Sequence, residues 1–424
     1  MRPGNLCIIC KGSRALCGLK RCPLLARIDI TTKINIDTEF FGPSTSVFVG
    51  RIGYPNVFIG PVVPVLLKNL YEIDNPNLWF GMEYSDIISF RSSMLRSKSK
   101  QNIFSNEKIV DNIQQIALSI KPIDVEMSFD KKPTYKVMFS DVVQPMGPSV
   151  SIKKLNLAEN PKIPQKIEKI VSDDLKAKES SFLLYKTGLD VYKISTIFST
   201  GALGLQKNKK LVPTRYSITA IDDIICKNLL NYVRNYPSIN EFRVYSSQYL
   251  DNHFEILLIP GNWEYENFEA WSPGSFWASY IKNAEIVEEY EPFQGRTSYA
   301  EKEGGGYYAA RIGVVEALYK MKRQARVIVF REIYEGYMIP LGVWVVRETV
   351  RNAFKNPCKI FSTLDEALNH INTKLRLPIE YYKKISIILR QKRLDDFKFD
   401  SSTSMTSNKT KAEINKLKTD KFSI

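Results

Sequence analysis

Residues 303–318 read EGGGYYAARIGVVEAL, and residues 325–332 read ARVIVFRE. In the first stretch three glycines precede an apolar stripe of Ile312, Val315 and Leu318, and this spacing predicts a helix that opens at the glycines. The second stretch is a continuous apolar run between charged residues, which predicts a buried strand. A helix followed directly by such a strand indicates a protein of mixed α and β structure.

The rest of the chain predicts the same class. Alternating or β-rich runs predict strands over 46–52, 57–59, 125–129, 242–245, 254–260 and 342–348. Helical spacing predicts helices over 84–96, 107–120 and 166–188, and another that starts near Ser217. Residues 130–165 are rich in proline and lysine and predict an irregular connection. We therefore expect a mixed α/β (α+β) body of sheets and helices.

Four cysteines, Cys7, Cys10, Cys17 and Cys22, form the pattern C-x2-C-x6-C-x4-C near the start of the chain. Four thiolates at this spacing predict one tetrahedral Zn²⁺, and a structural rather than catalytic one, because no coordination position is left open. The alternatives are a redox C-x-x-C pair and chance clustering of inert thiols. The redox pair needs a thioredoxin-like strand and helix around it, whereas two more cysteines follow here.

The chain of 424 residues has a formal net charge of +15 and a pI near 9.3, which favours polyanionic partners, nucleic acid first among them. Residues 1–28 carry six basic and no acidic side chains. These charges indicate either a phosphate-contacting module or simple solvation of a four-thiolate site. No signal-peptide or membrane-spanning run is present, so we expect a cytoplasmic, nucleoid-associated protein without a membrane partner.

Two adjacent aspartates, Asp222 and Asp223, follow Ser217 in the chain. Together with Glu316 they are candidate acids for a divalent metal, but acids in the first turn of a helix more commonly complement the helix dipole. Aromatic side chains between 263 and 277 have two interpretations as well. In a basic protein they can stack on unpaired bases, but such density more often forms a core.

The glycines Gly304, Gly305 and Gly306 are candidates for phosphate or DNA binding, together with Arg215 and Arg311. Glycines before a helix let several backbone N–H groups converge on an anion, and the helix dipole adds positive potential there. The alternative is a connection in which glycine permits close packing. The pattern is neither a Walker loop nor G-x-G-x-x-G.

Five blocks of sequence together resemble the archaeal Nre family of DNA repair proteins. They are CKGSRALCGLKRCP from residue 10, FVGRIGYPNVFIGP at 48–61, LVPTRYSITAIDDI at 211–224, EGGGYYAARIGVVEAL at 303–318 and PLGVWVVRE at 340–348. The resemblance runs from residue 7 to about residue 397. It implies a role in DNA damage repair, with a family N-terminal and C-terminal region, but it carries over no catalytic residue.

The family also commonly ends in a motif that binds the sliding clamp PCNA. Here Gln391, Leu394 and Phe397 satisfy Q-x-x-L-x-x-F within QKRLDDF. A short helical turn would place Leu394 and Phe397 on one side as plugs for an apolar pocket, while Gln391 hydrogen-bonds beside them. Many such motifs have a second aromatic directly afterwards, whereas this chain has Lys398 and then Phe399, which predicts weaker or shifted docking.

Two classes of function follow from these patterns. The first is a repair factor that binds DNA and is recruited to PCNA through the C-terminal motif. The second is a repair enzyme, a metal-dependent nuclease or a hydrolase acting on a nucleotide or DNA adduct, whose site would lie around Gly304–Gly306 and Asp222/Asp223, with Mg²⁺ or Mn²⁺ as the metal. The sequence does not decide whether the chain is an enzyme.

Four regions are expected. Residues 1–24 form the zinc module, 25–205 an Nre-like N-terminal region, 206–390 an Nre-like C-terminal region, and 391–424 the clamp-binding motif with a flexible tail. The division near 205 is the weakest boundary, because the two halves can also share one core.

Overall fold

The computed structural model describes residues 36–65, 73–133, 147–273, 275, 284–337 and 340–391. The four cysteines and the predicted basic module around them lie outside the described residues. So do Leu394 and Phe397 of the predicted clamp motif, and Gln391 is the last residue described.

A first six-stranded sheet is built from the N-terminal part of the chain. Its strands are β1 (Glu39–Ser44), β2 (Ser46–Val49), β3 (Asn56–Pro64), β4 (Met94–Asn102), β5 (Ile123–Phe129) and β6 (Ser149–Leu157). They lie in the order β1-β5-β6-β4-β3-β2, and every neighbouring pair is antiparallel except β4 and β6. The predicted irregular stretch over 130–165 therefore contains a strand.

One face of this sheet forms a hydrophobic core. In β5 the alternate residues Ile123, Val125, Met127 and Phe129 are buried, as the alternation predicts. They share a cluster with the apolar side of helix α2 (Lys108–Leu118), while helix α1 (Tyr84–Ser92) precedes β4. The intervening residues of β5, Asp124, Glu126 and Ser128, lie on the other face of the sheet.

A second six-stranded sheet follows in the chain. Its strands are β7 (Phe242–Tyr249), β8 (Asn252–Ile259), β9 (Glu264–Trp271), β10 (Glu285–Glu291), β11 (Arg326–Ile333) and β12 (Lys359–Phe361), in the order β10-β9-β11-β8-β7-β12. Only β9 and β11 are parallel. Every residue of β8 and β11 is buried, which is typical of strands covered on both faces.

The described helices of the C-terminal two thirds are α3 (Gln165–Ser172), α4 (Ala177–Lys186), α5 (Val191–Ser199), α6 (Thr214–Val233), α7 (Gly305–Met321), α8 (Trp344–Ala353), α9 (Leu364–Asn372), α10 (Ile379–Ile385) and α11 (Ile387–Arg390). In α7 every residue from Gly306 to Leu318 is buried. Its surrounding cluster also contains Leu184 and Ile197 from α4 and α5. Side chains from both sides of residue 205 thus share one core, and the division there stays a prediction.

The mixed α/β class is confirmed, but several element predictions were wrong. Residues 344–353 form a helix, not a strand, because packing of Trp344, Val345 and Val346 into the interior outweighs their β propensity. The helix expected over 166–188 is two helices. The helix expected near Ser217 begins at Thr214 after Pro213, so Asp222 and Asp223 lie in its third turn and cannot complement its dipole.

Candidate nucleic-acid interface

Asp222 projects from α6 into the protein interior, where it meets Arg347 of α8. Both side chains are about 1% exposed. The guanidinium donates through Nε to Asp222 Oδ1 at 3.1 Å and through Nη2 to Oδ2. Burial raises the pKa of Asp222, and the Arg347 charge acts in the opposite direction. This is a two-pronged buried ion pair, and it uses both carboxylate oxygens.

Asp223 accepts from Arg311 of α7 through one carboxylate oxygen, and Lys227 Nζ lies 2.7 Å from the other. Arg311 also donates to Glu291 of β10, and the rings of Tyr307 and Tyr308 lie within 5.4 Å of its guanidinium carbon. Arg311 is buried, so the structure places this predicted phosphate-binding residue in the core, where it links α6, α7 and β10.

Glu316, the third candidate acid, is also paired with an arginine. Its carboxylate accepts two hydrogen bonds of 2.8 Å from Arg351 and one of 2.9 Å from Tyr185. Arg351 also bonds Glu348 at 2.9 Å. The three candidate acids are therefore bonded to arginines, and the described part of the chain has no cluster of three or more metal-ligating side chains.

The glycine turn opens α7 as the sequence predicts, with Gly304 at a positive φ of 56° as the cap. Glycine is needed for close packing: a Cβ on Gly306 would lie 2.2 Å from Glu269 Oε1. Glu303 is buried beside the turn, and burial together with the Glu269 charge raises its pKa well above the usual range. Gly306 thus serves close packing against Glu269, which is itself paired with Arg331.

Arg215 lies apart from the buried arginines. It is exposed in the first turn of α6, and its charge acts on Tyr299, whose hydroxyl would lie 3.5 Å from a Cβ on Gly304. The structure thus brings Arg215 and the Gly304 turn to the same region, while Arg311 faces inward. Of the dense aromatics, Trp263, Tyr265 and Phe268 are fully buried and belong to the core.

A basic surface that the sequence analysis missed lies on the polar face of the first sheet. Strand β4 reads MLRSKSKQN, with Leu95 and Ser97 buried and Arg96, Lys98 and Lys100 on the opposite face. Across the neighbouring strands Val62 is opposite Arg96 and Phe58 is opposite Lys100. We call this surface, formed by Phe48, Phe58, Arg96, Lys98 and Lys100, the β4 surface.

Arg96 and Lys98 are cations, and no described residue supplies a compensating acid to either. Within the described ranges neither forms an ion pair, and Arg96 Nε has no hydrogen-bond partner. The Arg96 guanidinium stacks 5.4 Å from the Phe48 ring centroid, and Lys98 Nζ donates to Ser149 Oγ at 2.8 Å. Burial lowers the pKa of Arg96 to about 10, and burial and the Arg96 charge lower the pKa of Lys98. A bound anion would relieve this repulsion.

Comparison of the sequence with known proteins identifies the family of the chain. The sequence model described as "Archaeal Nre, N-terminal" matches residues 16–278, and that described as "Archaeal Nre, C-terminal" matches residues 291–397. The chain belongs to the archaeal Nre family. The resemblance in the sequence blocks is thereby confirmed, and the β4 surface lies within the N-terminal Nre match.

Three Nre relatives cover most of the chain. DNA repair protein NreA of Archaeoglobus fulgidus is 39% identical over 395 residues, which are 92% of this chain and 98% of that protein. DNA repair protein NreB of the same organism is 36% identical over 91% of this chain and 97% of its own length. DNA repair protein NreA of Haloferax volcanii is 33% identical over 86% and 89%. No solved structure matches the chain.

Two predicted sites are not reached by the described residues. The zinc ligands Cys7, Cys10, Cys17 and Cys22 lie outside them, so the zinc site stays a prediction that metal analysis of the purified protein would test. Gln391 is exposed, and the remainder of its motif lies beyond the described chain. Among the helices that are described, none is long and apolar enough to cross a bilayer.

Proposed function

We propose that this chain is a DNA repair factor that binds DNA through the β4 surface and is recruited to the sliding clamp PCNA through residues 391–397. The observation that carries the DNA-binding part is that Arg96 and Lys98, on one sheet face, have no acid paired with them among the described residues. Elsewhere in the described fold, the buried arginines Arg311, Arg331 and Arg347 are each paired with an acid. A DNA phosphate is the partner that would complete this pair.

The family relationship supports the repair role, since the relatives are named DNA repair proteins. The enzyme alternative gains no support from the geometry. Asp222, Asp223 and Glu316 are bonded to arginines, and freeing Asp222 for a metal would leave Arg347 buried without an acid among the described residues.

Recruitment to the clamp is supported by how the chain is held just before the motif. Glu266 of β9 accepts hydrogen bonds from Ser386 Oγ and from the backbone N–H groups of Ile387 and Ile388. The family match runs on to residue 397, the last position of the motif. A peptide motif that follows a fixed anchor is well placed for capture by a partner.

The DNA-binding part is tested by removing two charges from the β4 surface. We expect Lys98→Gln with Lys100→Gln to weaken DNA binding and to reduce the slope of log K against log salt by about 1.5, because two phosphate contacts are lost. Fluorescence anisotropy of labelled DNA over a salt series measures both quantities.

The matched control is Lys320→Gln with Lys374→Gln, which removes the same charge from exposed positions on other elements. DNA binding that is independent of salt, or equally weakened in the control, would overturn the proposed interface. Absence of DNA binding by the unmodified protein would overturn the proposed function.

A further inference from the structure

We infer that the β4 surface binds single-stranded DNA, with the Phe58 ring as a stacking platform for an unpaired base. The inference rests on the DNA binding proposed above and specifies the form of DNA. It depends on the orientation of Phe58, on the neighbouring cations and on the shape of the sheet face.

Phe58 is held outward by its strand. Its neighbours Val57 and Ile59 are fully buried, so alternation along β3 directs Phe58 to the opposite face, where 40% of the side chain is exposed. Lys100 is its direct cross-strand partner. Such partners have Cβ atoms about 5 Å apart, so a ring and an ammonium lie side by side, ready for a base and its phosphate.

Beside Phe58, Gly60 lets β3 lie close to β4. A Cβ at Gly60 would lie 1.8 Å from the carbonyl oxygen of Ser97, so only glycine fits. Gly60 is opposite Phe48 in the neighbouring strand, and the guanidinium of Arg96 already covers that ring. Phe48 therefore positions a cation, and Phe58 is the ring left available for stacking.

Further exposed rings continue the surface past Lys100. Asn56 pairs with Asn102 at that end of β3 and β4, and Tyr54 and Phe104 lie just beyond it, 54% and 60% exposed. Aromatic rings interleaved with basic side chains are the usual platform for unpaired bases.

A duplex cannot use these rings. In paired DNA the faces of the bases are stacked on one another, and readers of the duplex place a protruding helix or ribbon in a groove. The described part of this face is a row of β-strands that carries aromatic rings and cations. Such a face fits single-stranded DNA whose bases are unstacked.

The test compares one labelled sequence as single-stranded DNA, as duplex DNA and as single-stranded RNA, with the full chain at fixed salt. We expect the single-stranded DNA to bind most tightly. Phe58→Ala should weaken its binding by about tenfold, with duplex binding unchanged within about twofold, and Phe58→Trp should restore it.

Two further variants separate stacking from folding. Phe58→Leu keeps an apolar side chain without a ring and should bind as weakly as Phe58→Ala. Phe41→Ala removes a more exposed ring, 67% exposed, from strand β1, where Glu126 is the opposite residue, and should change nothing.

The outcomes distinguish this inference from the function on which it rests. If Phe58→Ala and Phe58→Leu both bind normally while the Lys98 and Lys100 variants do not, stacking is refuted and DNA binding stands. Duplex binding as tight as single-stranded binding, or tighter binding of RNA, also refutes the inference. If neither form of DNA binds, both proposals fail.

Discussion

Arg347 links α8 to α6 through its buried ion pair with Asp222. If Arg347→Met removes the guanidinium, Asp222 is left buried without a partner. We expect the free energy of unfolding to fall by about 3–5 kcal/mol, because a buried carboxylate without compensation is far costlier than the pair. Denaturant unfolding followed by circular dichroism measures the change.

The matched control is Lys383→Met, which breaks an exposed pair with Glu380 and should cost less than about 1 kcal/mol. Adding Asp222→Asn to Arg347→Met should recover part of the lost stability, since the buried charge is then removed. Equal losses in the Arg347 and Lys383 variants would contradict the importance of the buried pair.

The sequence could show that Asp222 and Asp223 are unusual, but not what they do. Their partners Arg347 and Arg311 are 125 and 88 positions away, and no local pattern links them. Of the two interpretations taken from the sequence, metal binding and dipole complementation, only the second assumed a helix start near Ser217. Since the helix begins at Thr214, the pair lies too deep in it for the second, and arginines occupy the carboxylates needed for the first.

At the scale of elements, the residue pattern of strand β4 explains why the sequence analysis did not predict the β4 surface. Its inward positions include Ser97, whose hydroxyl donates to the carbonyl of Pro61 at 2.9 Å and so replaces an apolar contact. Without apolar alternation the strand lacks the signal on which strand prediction depends. Helical spacing before it extended the predicted helix to residue 96, whereas that helix ends at Ser92. By contrast β5, β8 and β11 have clear apolar patterns and were predicted correctly.

The link between β9 and α11 makes stability depend on pH. Burial, together with the nearby Glu288 charge, raises the pKa of Glu266 from 4.5 to about 7 despite the hydrogen bonds that it accepts. A carboxyl whose pKa is raised by folding stabilises the fold below its unfolded pKa and loses that contribution as the pH rises through the folded value. Because of this group, the free energy of unfolding of the wild type should fall as the pH rises from about 4.5 to 7.

Glu266→Gln should remove this part of the pH dependence. Since glutamine stays neutral, the wild-type stability relative to the variant should fall by about 3 kcal/mol across that interval. Thermal or denaturant unfolding at a series of pH values measures it. Glu126→Gln, on the exposed side of β5, removes the same formal charge as a control. A constant difference between wild type and Glu266→Gln would refute the assignment.

For the whole molecule, the order of elements gave the α/β class, because a helix and a buried strand follow each other from residue 305 to 333. The arrangement into two six-stranded sheets was not predictable in the same way. It depends on pairings between distant strands, such as β9 with β11 and β4 with β6, which leave no mark in local periodicity. The shared core across residue 205 has the same origin, since α4 and α5 pack with helices that lie far along the chain.

The proposed recruitment to the clamp concerns the whole chain, because it would join the proposed DNA binding on the first sheet to a motif at the other end. Tethering raises the local concentration of the DNA-binding surface without adding contacts to DNA. We expect Phe397→Ala to abolish co-elution with PCNA in size-exclusion chromatography, since the motif loses one of its two apolar plugs, while DNA binding measured alone stays unchanged.

Phe422→Ala, which removes the same ring outside the motif, should co-elute normally. A Phe397→Ala protein that still co-elutes with PCNA would show that residues 391–397 are not the clamp-binding segment, whereas loss in both variants would indicate that the tail binds by general hydrophobicity instead of by Q-x-x-L-x-x-F.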